Sequence, residues 1–424
     1  MKRVYILTAI LVLFCALPAW AVTPTGELYG SISYDWDRDE KTGELTSFRT
    51  GFRVAVEDEL DKLGKLHFST KGWLDWKLKD ASIAVDQVWL KGYSGDFDYQ
   101  IGRQLISWGT ADGFNPTNYF ARLSSSSLFS GELSGDPVWA GRVEYYAPAW
   151  SATGVLIPVF APQEIDELME QMLLGADPQG ALVLQAIKDT KKPGLGNPEV
   201  ALRLETQLAG FDLQASYFWG YEPLPGLEMV LDLAAPQNPK IEGTYRRQHL
   251  FGLALAGTLG QAGFWAEAAY GGPQPFAESD NPLELRIPMS INEKYFQAVV
   301  GGDYTINVGN GLLVQAQYVY RGQGALLAPY TAPKLLPDAP PQAGDIEGAH
   351  YLYGRLSYDF NPDSSAALVV LYGTKEEAGI IRPSYTHRLA QGVQLELSLL
   401  QPFGDKGGFK HIPTQARLAL KYQF

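Results

Sequence analysis

The sequence is poor in the residues that build disulfides, metal centres and catalytic sites. Its 424 residues include one cysteine, Cys15, which lies in a segment expected to be removed, so the mature chain can form no disulfide or thiolate metal site. The five histidines are scattered, and no carboxylate pair, metal-ligand cluster or nucleophile motif accompanies them. We therefore predict no metal, no cofactor and no enzyme activity.

Positive charge and long apolar runs are also scarce. The chain carries 34 basic against 47 acidic residues, which argues against nucleic acid as a partner. Beyond residue 21, no apolar stretch approaches the roughly 20 residues that a transmembrane helix needs. These absences leave a soluble secreted domain or a membrane protein built from strands.

The N-terminus has the pattern of a secretory signal peptide. Lys2 and Arg3 precede an apolar run over 4–17, and Ala19 and Ala21 supply small residues at the cleavage site. The run is too short to span a bilayer as a helix. We expect Sec-dependent export with cleavage after Ala21, which removes two of the 34 basic residues and leaves a net charge of −15.

What the chain does contain is alternation of apolar and polar residues along nearly its whole length. The alternating segments have the length of membrane-spanning strands, about 9–11 residues. The ten Trp, 23 Tyr and 19 Phe residues fit a barrel with aromatic girdles. Eighteen segments are counted, and sixteen stays open as an alternative count. They cover 26–36, 46–57, 65–76, 83–92, 97–107, 138–147, 151–160, 199–208, 211–220, 245–257, 261–270, 294–306, 311–321, 349–360, 365–374, 380–389, 392–401 and 414–424.

The connections between these segments fall into two classes, as expected for outer-membrane barrels. Tight turns rich in Gly, Asn and Pro alternate with long loops. The long loops run over 108–137, 161–198, 221–244, 271–293 and 322–348. We predict an all-β fold, a transmembrane antiparallel β-barrel over 22–424 with both ends in the periplasm, in the outer membrane of a bacterium with two membranes.

One stretch, 162–190, has helical rather than strand periodicity. Apolar residues recur at spacings of three and four, first at Ile165, Leu168, Met169, Met172 and Leu173, then at Leu182, Val183, Ala186 and Ile187. The pattern predicts a helical hairpin inserted in an external loop. Two interpretations stay open: a loop that covers its own apolar face against the barrel rim, and a lid over the pore mouth.

Two segments resemble known outer-membrane proteins. The last strand, 414–424, ends on Tyr422 and Phe424, and is similar to the closing strands that the barrel-assembly machinery reads. Gly-Arg-Gln at 102–104, followed by Trp108-Gly109 and Asn115-Pro116, resembles the motif of a poorly characterised porin-like outer-membrane family. The resemblance implies a barrel that passes or takes up small molecules, without a secure substrate. The insert at 162–190 departs from that family.

Successive residues of a strand point to opposite faces, and we call the set of alternate positions that carries the polar residues the polar parity. This parity predicts which side chains line the lumen. An arginine at the lipid midplane costs roughly 2–4 kcal/mol, so mid-strand arginines should face inward. Arg103 lies on the lipid-facing parity of its strand, and we expect a kink at Gly102 to turn it into the lumen. Tyr29 and Trp73 also fall on the polar parity and could stack on sugars. The expected lumen arginines are Arg49, Arg53, Arg103, Arg142, Arg203, Arg355, Arg382, Arg388 and Arg417, and their expected ion-pair partners include Glu57, Asp75, Glu144, Glu205 and Glu396.

The loop over 108–137 is the third external loop in this count and is predicted to fold into the barrel as a constriction. An acidic loop facing a basic wall would set up a field across the lumen. The loop offers Asp112, Asn115, Asn118, Arg122, Glu132 and Asp136.

Together these patterns predict a porin-like channel that passes small hydrophilic solutes, anions in particular, by passive diffusion. Uptake of hydrophobic compounds, or a plugged barrel with an enzymatic, adhesive or structural role, stay open as alternatives. Association into a homo-oligomer also stays open, because an apolar contact surface would resemble a lipid-facing one.

Overall fold

The computed structural model describes most of the predicted barrel. The described residues are 23–36, 42–61, 63–111, 113–121, 136–165, 169–170, 173, 180–333 and 346–424. The expected leader with its cleavage site, Arg122, and the loop residues Asp112 and Glu132 lie outside them. Expectations for those residues stay predictions.

Eighteen antiparallel strands close into one barrel. Neighbours in sequence pair with one another, and the first and last strands complete the circle, with Glu27 opposite Gln423 and Trp36 opposite Thr414. The predicted fold class and the count of eighteen are confirmed. The barrel strands are β1 (Thr25–Trp36), β2 (Gly43–Leu60), β3 (Gly64–Asp75), β4 (Asp80–Ser94), β5 (Phe97–Gln104), β6 (Val138–Tyr146), β7 (Trp150–Ile157), β8 (Glu199–Leu208), β9 (Phe211–Tyr221), β12 (Arg247–Leu259), β13 (Ala262–Pro273), β15 (Tyr295–Ile306), β16 (Leu312–Arg321), β17 (Ala349–Asn361), β18 (Ser364–Gly373), β19 (Ala378–Ala390), β20 (Val393–Phe403) and β21 (Thr414–Gln423).

Alternation along each strand separates an apolar outer surface from a mostly polar interior. In β21, Leu418, Leu420 and Tyr422 are 41%, 47% and 44% exposed, whereas Ala419 between them is 2% exposed. In lipid every backbone polar group needs an internal partner, and a closed ring of strands supplies one for each group. The outer surface therefore has the character of a lipid-facing wall, and the inward side chains line the lumen.

The two ends of the barrel differ in their connections. Both ends of the strand series meet at one end, where the Gly26 amide donates to the Phe424 carbonyl and the Phe424 amide donates to the Gly26 carbonyl, each at 3.0 Å. This turn end carries the tight connections. The opposite loop end carries the long ones, including a 3-10 turn over Gly407–His411.

Three further strands form a small sheet at the loop end, which sequence analysis assigned to loops. They are β10 (Gly226–Asp232), β11 (Lys240–Thr244) and β14 (Glu284–Pro288), with β10 in the middle. From Leu227 to Leu231 every residue of β10 is buried, so the period-2 signal of a half-exposed strand is absent. Burial on both faces explains why the pattern search missed it.

The predicted helical insert is confirmed in part. Helix α1 (Gly180–Asp189) packs on the small sheet through Val183, Ala186 and Ile187, which contact a cluster that includes Leu227 and Met289. Leu182 belongs to the apolar periodicity of this helix, but its side chain is 54% exposed and lies outside the packed face. The helix covers the small sheet rather than the barrel rim.

A substitution on the outer surface tests the lipid-facing assignment. Leu253 in β12 is 66% exposed, and its replacement by arginine should destabilise folding into lipid vesicles by roughly 2–4 kcal/mol. The matched control is Gln214→Arg, because Gln214 faces the lumen opposite Ala254, the next residue along β12. Urea titration in vesicles measures both. Equal losses for the two variants would contradict the assignment.

Candidate functional site

The lumen is crossed by the segment that follows β5, described over residues 105–111 and 113–121, which we call the crossing loop. An added Cβ at Gly113 would lie 3.7 Å from the ring of Tyr353 in β17. Going round the barrel, β5 is the fifth strand and β17 the fourteenth, so the loop reaches the opposite wall. Further contacts join it to Ser216 of β9, at 2.9 Å from the Tyr119 hydroxyl, and to Gln317 of β16, whose Nε2 donates to the Phe114 carbonyl at 3.3 Å.

Glu267 of β13 anchors the crossing loop. Its Oε1 accepts the backbone amides of Thr110 at 2.5 Å and Ala111 at 2.6 Å. Its Oε2 accepts the backbone amide of Thr117 at 3.1 Å and the hydroxyl of the same residue at 2.7 Å. The Glu267 side chain is buried, with 3% exposure. One carboxylate thus holds two points of the loop against the wall.

The motif Trp-Gly…Asn-Pro gives the crossing loop its own internal structure. Asn115 donates from Nδ2 to the Trp108 carbonyl at 3.0 Å, and the Trp108 amide donates to Asn118 Oδ1 at 3.3 Å. Gly109 has φ of +89°, and a Cβ there would lie 2.0 Å from Asn115 Oδ1. The side-chain amides of the predicted constriction residues Asn115 and Asn118 therefore bond within the loop and form part of its scaffold.

Ion pairs and ring contacts bring together several of the predicted lumen residues. Arg49 lies 4.3 Å over the ring of Trp73 and 3.7 Å from Asp75. Arg53 lies 3.3 Å from Asp86. Tyr29 lies over Gly51, where an added Cβ would approach its ring to 2.4 Å. Trp73 is thus covered by a guanidinium instead of presenting a free stacking face.

A second group of predicted arginines lies further round the wall, on β6 and β8. Arg203 pairs with Glu205 at 2.8 Å and lies 5.1 Å over the Trp108 ring. Arg142 lies 3.7 Å from Glu144. Because each has a carboxylate partner, this group contributes little uncompensated charge.

Arg355 and Arg417 differ from the other predicted lumen arginines. Both face inward: Arg355 lies opposite Gln315 and Val369, and Arg417 lies opposite Ser33 and Ser398. Within the described part of the chain, neither has a carboxylate oxygen within 4.0 Å, the distance at which the other pairs form. We use the name basic wall for seven inward cations of β2, β3, β17, β19 and β21. Its members are Arg49, Arg53, Lys71, Arg355, Arg382, Arg417 and Lys421. Lys65 and Arg388 also face inward but are left out, because they pair with Glu57 and Asp363.

The placement predicted for Arg103 was wrong. Gly102 does have φ of +132°, but the strand pairing continues through it, with Arg103 opposite Val88 and Trp139. Trp139 is 50% exposed on the outer surface. Arg103 Nε donates to the Asp86 carbonyl at 3.0 Å, where β4 shifts register against β3. The guanidinium lies at the loop end of a strand, where it meets a backbone acceptor without entering the lumen.

Four of the five histidines hydrogen-bond to neighbouring side chains on the wall. His67 lies 3.0 Å from Glu57, and His387 lies 2.8 Å from the Ser364 hydroxyl. The remaining partners are tyrosine hydroxyls, 2.8 Å from His249 and 2.6 Å from His350. Among the described residues no carboxylate hydrogen-bonds to His387, so the Ser364 pair lacks the third group that orients a catalytic base.

A cavity of about 220 Å³ lies between the crossing loop and the parts of the loop end above it. Phe114 and Tyr119 form one side, Arg321 and Gln297 of the wall another, and Tyr330 belongs to the roof. Met169 and Leu173, from the predicted insert, also line it. The insert therefore helps to close a chamber over the lumen.

A buried ion pair joins the residue that follows β9 to the residue that precedes β12, beside this cavity. Arg246 donates from Nε and Nη2 to the two carboxylate oxygens of Glu222 at 2.7 Å and 2.9 Å. Burial raises the pKa of Glu222 to about 7, and the Arg246 guanidinium opposes that shift. Above that pH the Glu222 carboxylate is ionised, and both of its oxygens accept hydrogen bonds from Arg246.

Sequence reasoning did not identify Glu267, Arg321 or the cavity. A local signal for Glu267 exists in the sequence of β13. It is the one charged residue of this strand, and its neighbours on both sides are alanines. Arg321 ends β16 without any such mark, and its position in the cavity depends on segments far apart in sequence.

The closed ring, apolar exterior and polar lumen define a membrane-spanning β-barrel. No family model and no curated protein matches the sequence. Among solved structures, OccAB3 of Acinetobacter baumannii aligns with a TM-score of 0.53 at 11% identity, over 95% of this chain and 99% of that one. OccK9 (OpdG) of Pseudomonas aeruginosa gives 0.52 at 12%, over 95% and 98%. The outer membrane protein OpdK of the same species gives 0.50 at 12%, over 95% and 99%. At these identities the likeness shows a shared fold, that of outer-membrane barrels.

Proposed function

We propose that this protein is an outer-membrane channel that passes small hydrophilic solutes by passive diffusion and prefers anions. The observation that carries the proposal is the arrangement of the lumen, with a fixed loop across it and an arc of cations on the wall. Eighteen strands enclose more space than side chains fill. The crossing loop is held by hydrogen bonds to Ser216 of β9, Glu267 of β13 and Gln317 of β16.

The basic wall supports the anion preference. Arg355 and Arg417 face the lumen without a described carboxylate at ion-pair distance, and Glu396 acts on Arg417 only from longer range, so their charge acts on passing ions. Such groups raise the local concentration of anions and lower that of cations. The other cations of the wall share the carboxylates of Asp75, Asp86 and Glu396. The chain as a whole is acidic, so the preference comes from where the cations lie.

A plugged barrel is the competing proposal, and a specific observation favours it. Phe114 of the crossing loop packs with Leu326, Leu327 and Phe409 of two other connections in one apolar cluster inside the loop end. Conductance separates a narrowed channel from a plug. A catalytic role has no comparable support from the described histidines.

Recording from planar bilayers tests the channel directly. We expect stepwise ohmic conductance, and a reversal potential in a KCl gradient with the sign of chloride preference. Detergent without protein is the control. Absence of steps would favour the plug, and a reversal potential of the opposite sign would contradict the anion preference.

Assembly and association belong to the same proposal. Tyr422 and Phe424 lie on the outer surface, each 44% exposed, with ring centroids 5.9 Å apart. We infer that the barrel-assembly machinery reads this terminal pair before the barrel closes. Whether the apolar exterior also joins copies into a homo-oligomer is answered by the mass of the detergent-solubilised particle.

A further inference from the structure

Arg247 is a cation on the outside of the barrel, at the loop end, and its neighbours hold it in place. It begins β12 and shares the outward-facing positions of that strand with the exposed Phe251. Its guanidinium carbon lies 4.2 Å from the ring centroids of both Trp219 and Tyr221. Nη1 donates to the Pro198 carbonyl at 2.6 Å. Stacking on aromatic rings orients a guanidinium without neutralising its charge.

The remaining donors of Arg247 are available to a ligand. Nε and Nη2 share one edge of the guanidinium, and neither donates a hydrogen bond within the described part of the chain. The two nearby carboxylates are bound elsewhere, since Glu199 accepts the Tyr221 amide at 2.9 Å and Glu222 accepts from Arg246 through both oxygens. Two parallel donors on one edge match two oxygens of a phosphate group.

Two more basic side chains lie beside Arg247 in one row across the outer wall. His249 of β12 is opposite Gly272 of β13. A Cβ at Gly272 would lie 3.0 Å from the Cα of Lys294, so Lys294 continues the row at the start of β15. His249 and Lys294 are exposed, and Glu293 beside them forms no ion pair with either. Because Gly272 has no side chain, the space between the two basic groups is open.

Below this row the outer wall becomes first aromatic and then small. Two residues towards the turn end, the next outward row consists of exposed aromatic residues, Phe251, Tyr270 and Phe296. Aromatic belts of this kind lie at the level of lipid headgroups. The row after that consists of Leu253, Ala268 and Ala298. With their neighbours these residues line a shallow apolar groove that also includes Ala215, Ala266 and Leu204.

The spacing between the basic row and the groove fits one lipid molecule. Four residues separate His249 from Leu253, which is about 13 Å along the strand. A strand tilt of about 40° reduces this distance to about 10 Å along the membrane normal. Half of the hydrocarbon core is about 15 Å thick. The groove therefore lies at the depth of the acyl chains of a lipid whose headgroup meets the basic row.

From this arrangement we propose that the outer surface of β9, β12, β13 and β15 binds one lipid whose headgroup ends in a phosphate monoester. The free edge of Arg247 takes two phosphate oxygens, Lys294 and His249 lie beside the phosphate, and the acyl chains lie in the groove. A phosphate monoester carries about −1.5 to −2 charges at neutral pH, so several cations favour it over a singly charged diester. The lipid belongs to the outward leaflet, because long loops face outside. This site lies outside the lumen and does not depend on the proposed channel function.

Native mass spectrometry of the full detergent-solubilised protein tests the site with three lipids that share their dimyristoyl chains. We expect one phosphatidic acid per barrel, phosphatidylglycerol bound about tenfold more weakly, and no measurable binding of phosphatidylcholine. Inorganic phosphate at the same concentration should not displace the phosphatidic acid, because it lacks the chains. Equal binding of the three lipids would overturn the proposal, and displacement by inorganic phosphate would show a site for free anions instead.

Variants assign the headgroup to Arg247. Arg247→Met should weaken phosphatidic acid about 100-fold, and Arg247→Lys, which keeps the charge but loses the planar fork, about tenfold. The matched control is Arg388→Met, at the turn end beside Asp363, which should leave the affinity unchanged. Heat-modified migration on gels shows whether each variant is a folded barrel, and Arg247→Lys serves if Arg247→Met does not fold. Native affinity in either folded Arg247 variant would overturn the site.

A substitution in the groove tests where the acyl chains lie. Ala298→Phe fills the groove, so it should weaken dimyristoyl phosphatidic acid to the affinity of the dihexanoyl lipid and leave the dihexanoyl affinity unchanged. The control is Ala316→Phe, since Ala316 also faces outward but lies two residues along β16 from Val314, outside the groove. Equal losses for the two variants, or none for Ala298→Phe, would overturn the proposed placement of the lipid.

Discussion

Replacing Glu267 by alanine is expected to raise the single-channel conductance severalfold and to add current noise. The carboxylate accepts five hydrogen bonds from Thr110, Ala111 and Thr117. Hydrogen bonds to a charged group contribute at least about 1.5 kcal/mol each. Their sum exceeds the roughly 5.5 kcal/mol that shifts a two-state equilibrium from an almost fully bound loop to an almost fully released one.

Two further variants make that measurement specific. Glu267→Gln keeps the shape and one carbonyl acceptor, so its conductance should lie between native and alanine values. Glu396→Ala removes an inward carboxylate that pairs with Arg382 and Lys421 and makes no hydrogen bond to the loop. It should alter ion preference with little change in conductance. An unchanged conductance in Glu267→Ala would show that other contacts hold the loop.

The double variant Arg355→Ala, Arg417→Ala is expected to move the reversal potential strongly towards cation preference. A unit charge acts on an ion 4 Å away with about 1 kcal/mol in water. That energy corresponds to roughly a fivefold change in local ion concentration at each position. Since neither arginine has a described carboxylate at ion-pair distance, their loss removes charge that no described ion pair neutralises, and the paired cations keep their partners.

The charge effect has a salt signature and a control. At 1 M salt the screening length is only about 3 Å, so the difference between variant and native protein should shrink there. Arg286→Ala removes a guanidinium of the small sheet that pairs with Glu284 at 2.6 Å, outside the lumen. It should leave the reversal potential unchanged. A double variant that retains the native reversal potential at low salt would contradict the role given to the basic wall.

The barrel could be predicted because its information is local. Lipid outside and water inside impose a period of two on every strand, and the chain shows this period from Thr25 to Gln423. The same reasoning predicted the ion pairs of Asp75, Glu144 and Glu396 with lumen arginines. Each of these ion pairs joins side chains of the same strand or of neighbouring strands, so alternation along the strands is enough to predict it.

The sequence-based predictions failed where the deciding contacts join residues far apart in sequence, or where the side chain is not surrounded by lipid. Arg103 was predicted to face inward because an arginine in lipid is costly, but that cost applies at the membrane midplane. Arg103 lies at the loop end, where the Asp86 carbonyl accepts a hydrogen bond from its Nε. The strand β10 is buried on both faces by α1 and neighbouring strands, so it carries no alternation. Thr110 and Glu267 are 157 residues apart, and no local pattern connects them.

The seam between β1 and β21 bears on how the molecule is made. Residues from opposite ends of the described chain, such as Glu27 and Gln423, face each other there. Until they meet, two strand edges with unpaired amides and carbonyls stay open, and such edges template pairing with other chains. We therefore expect biogenesis to need a factor that shields both edges until the final strand arrives, and a chain stalled before residue 414 to retain an aggregation-prone edge.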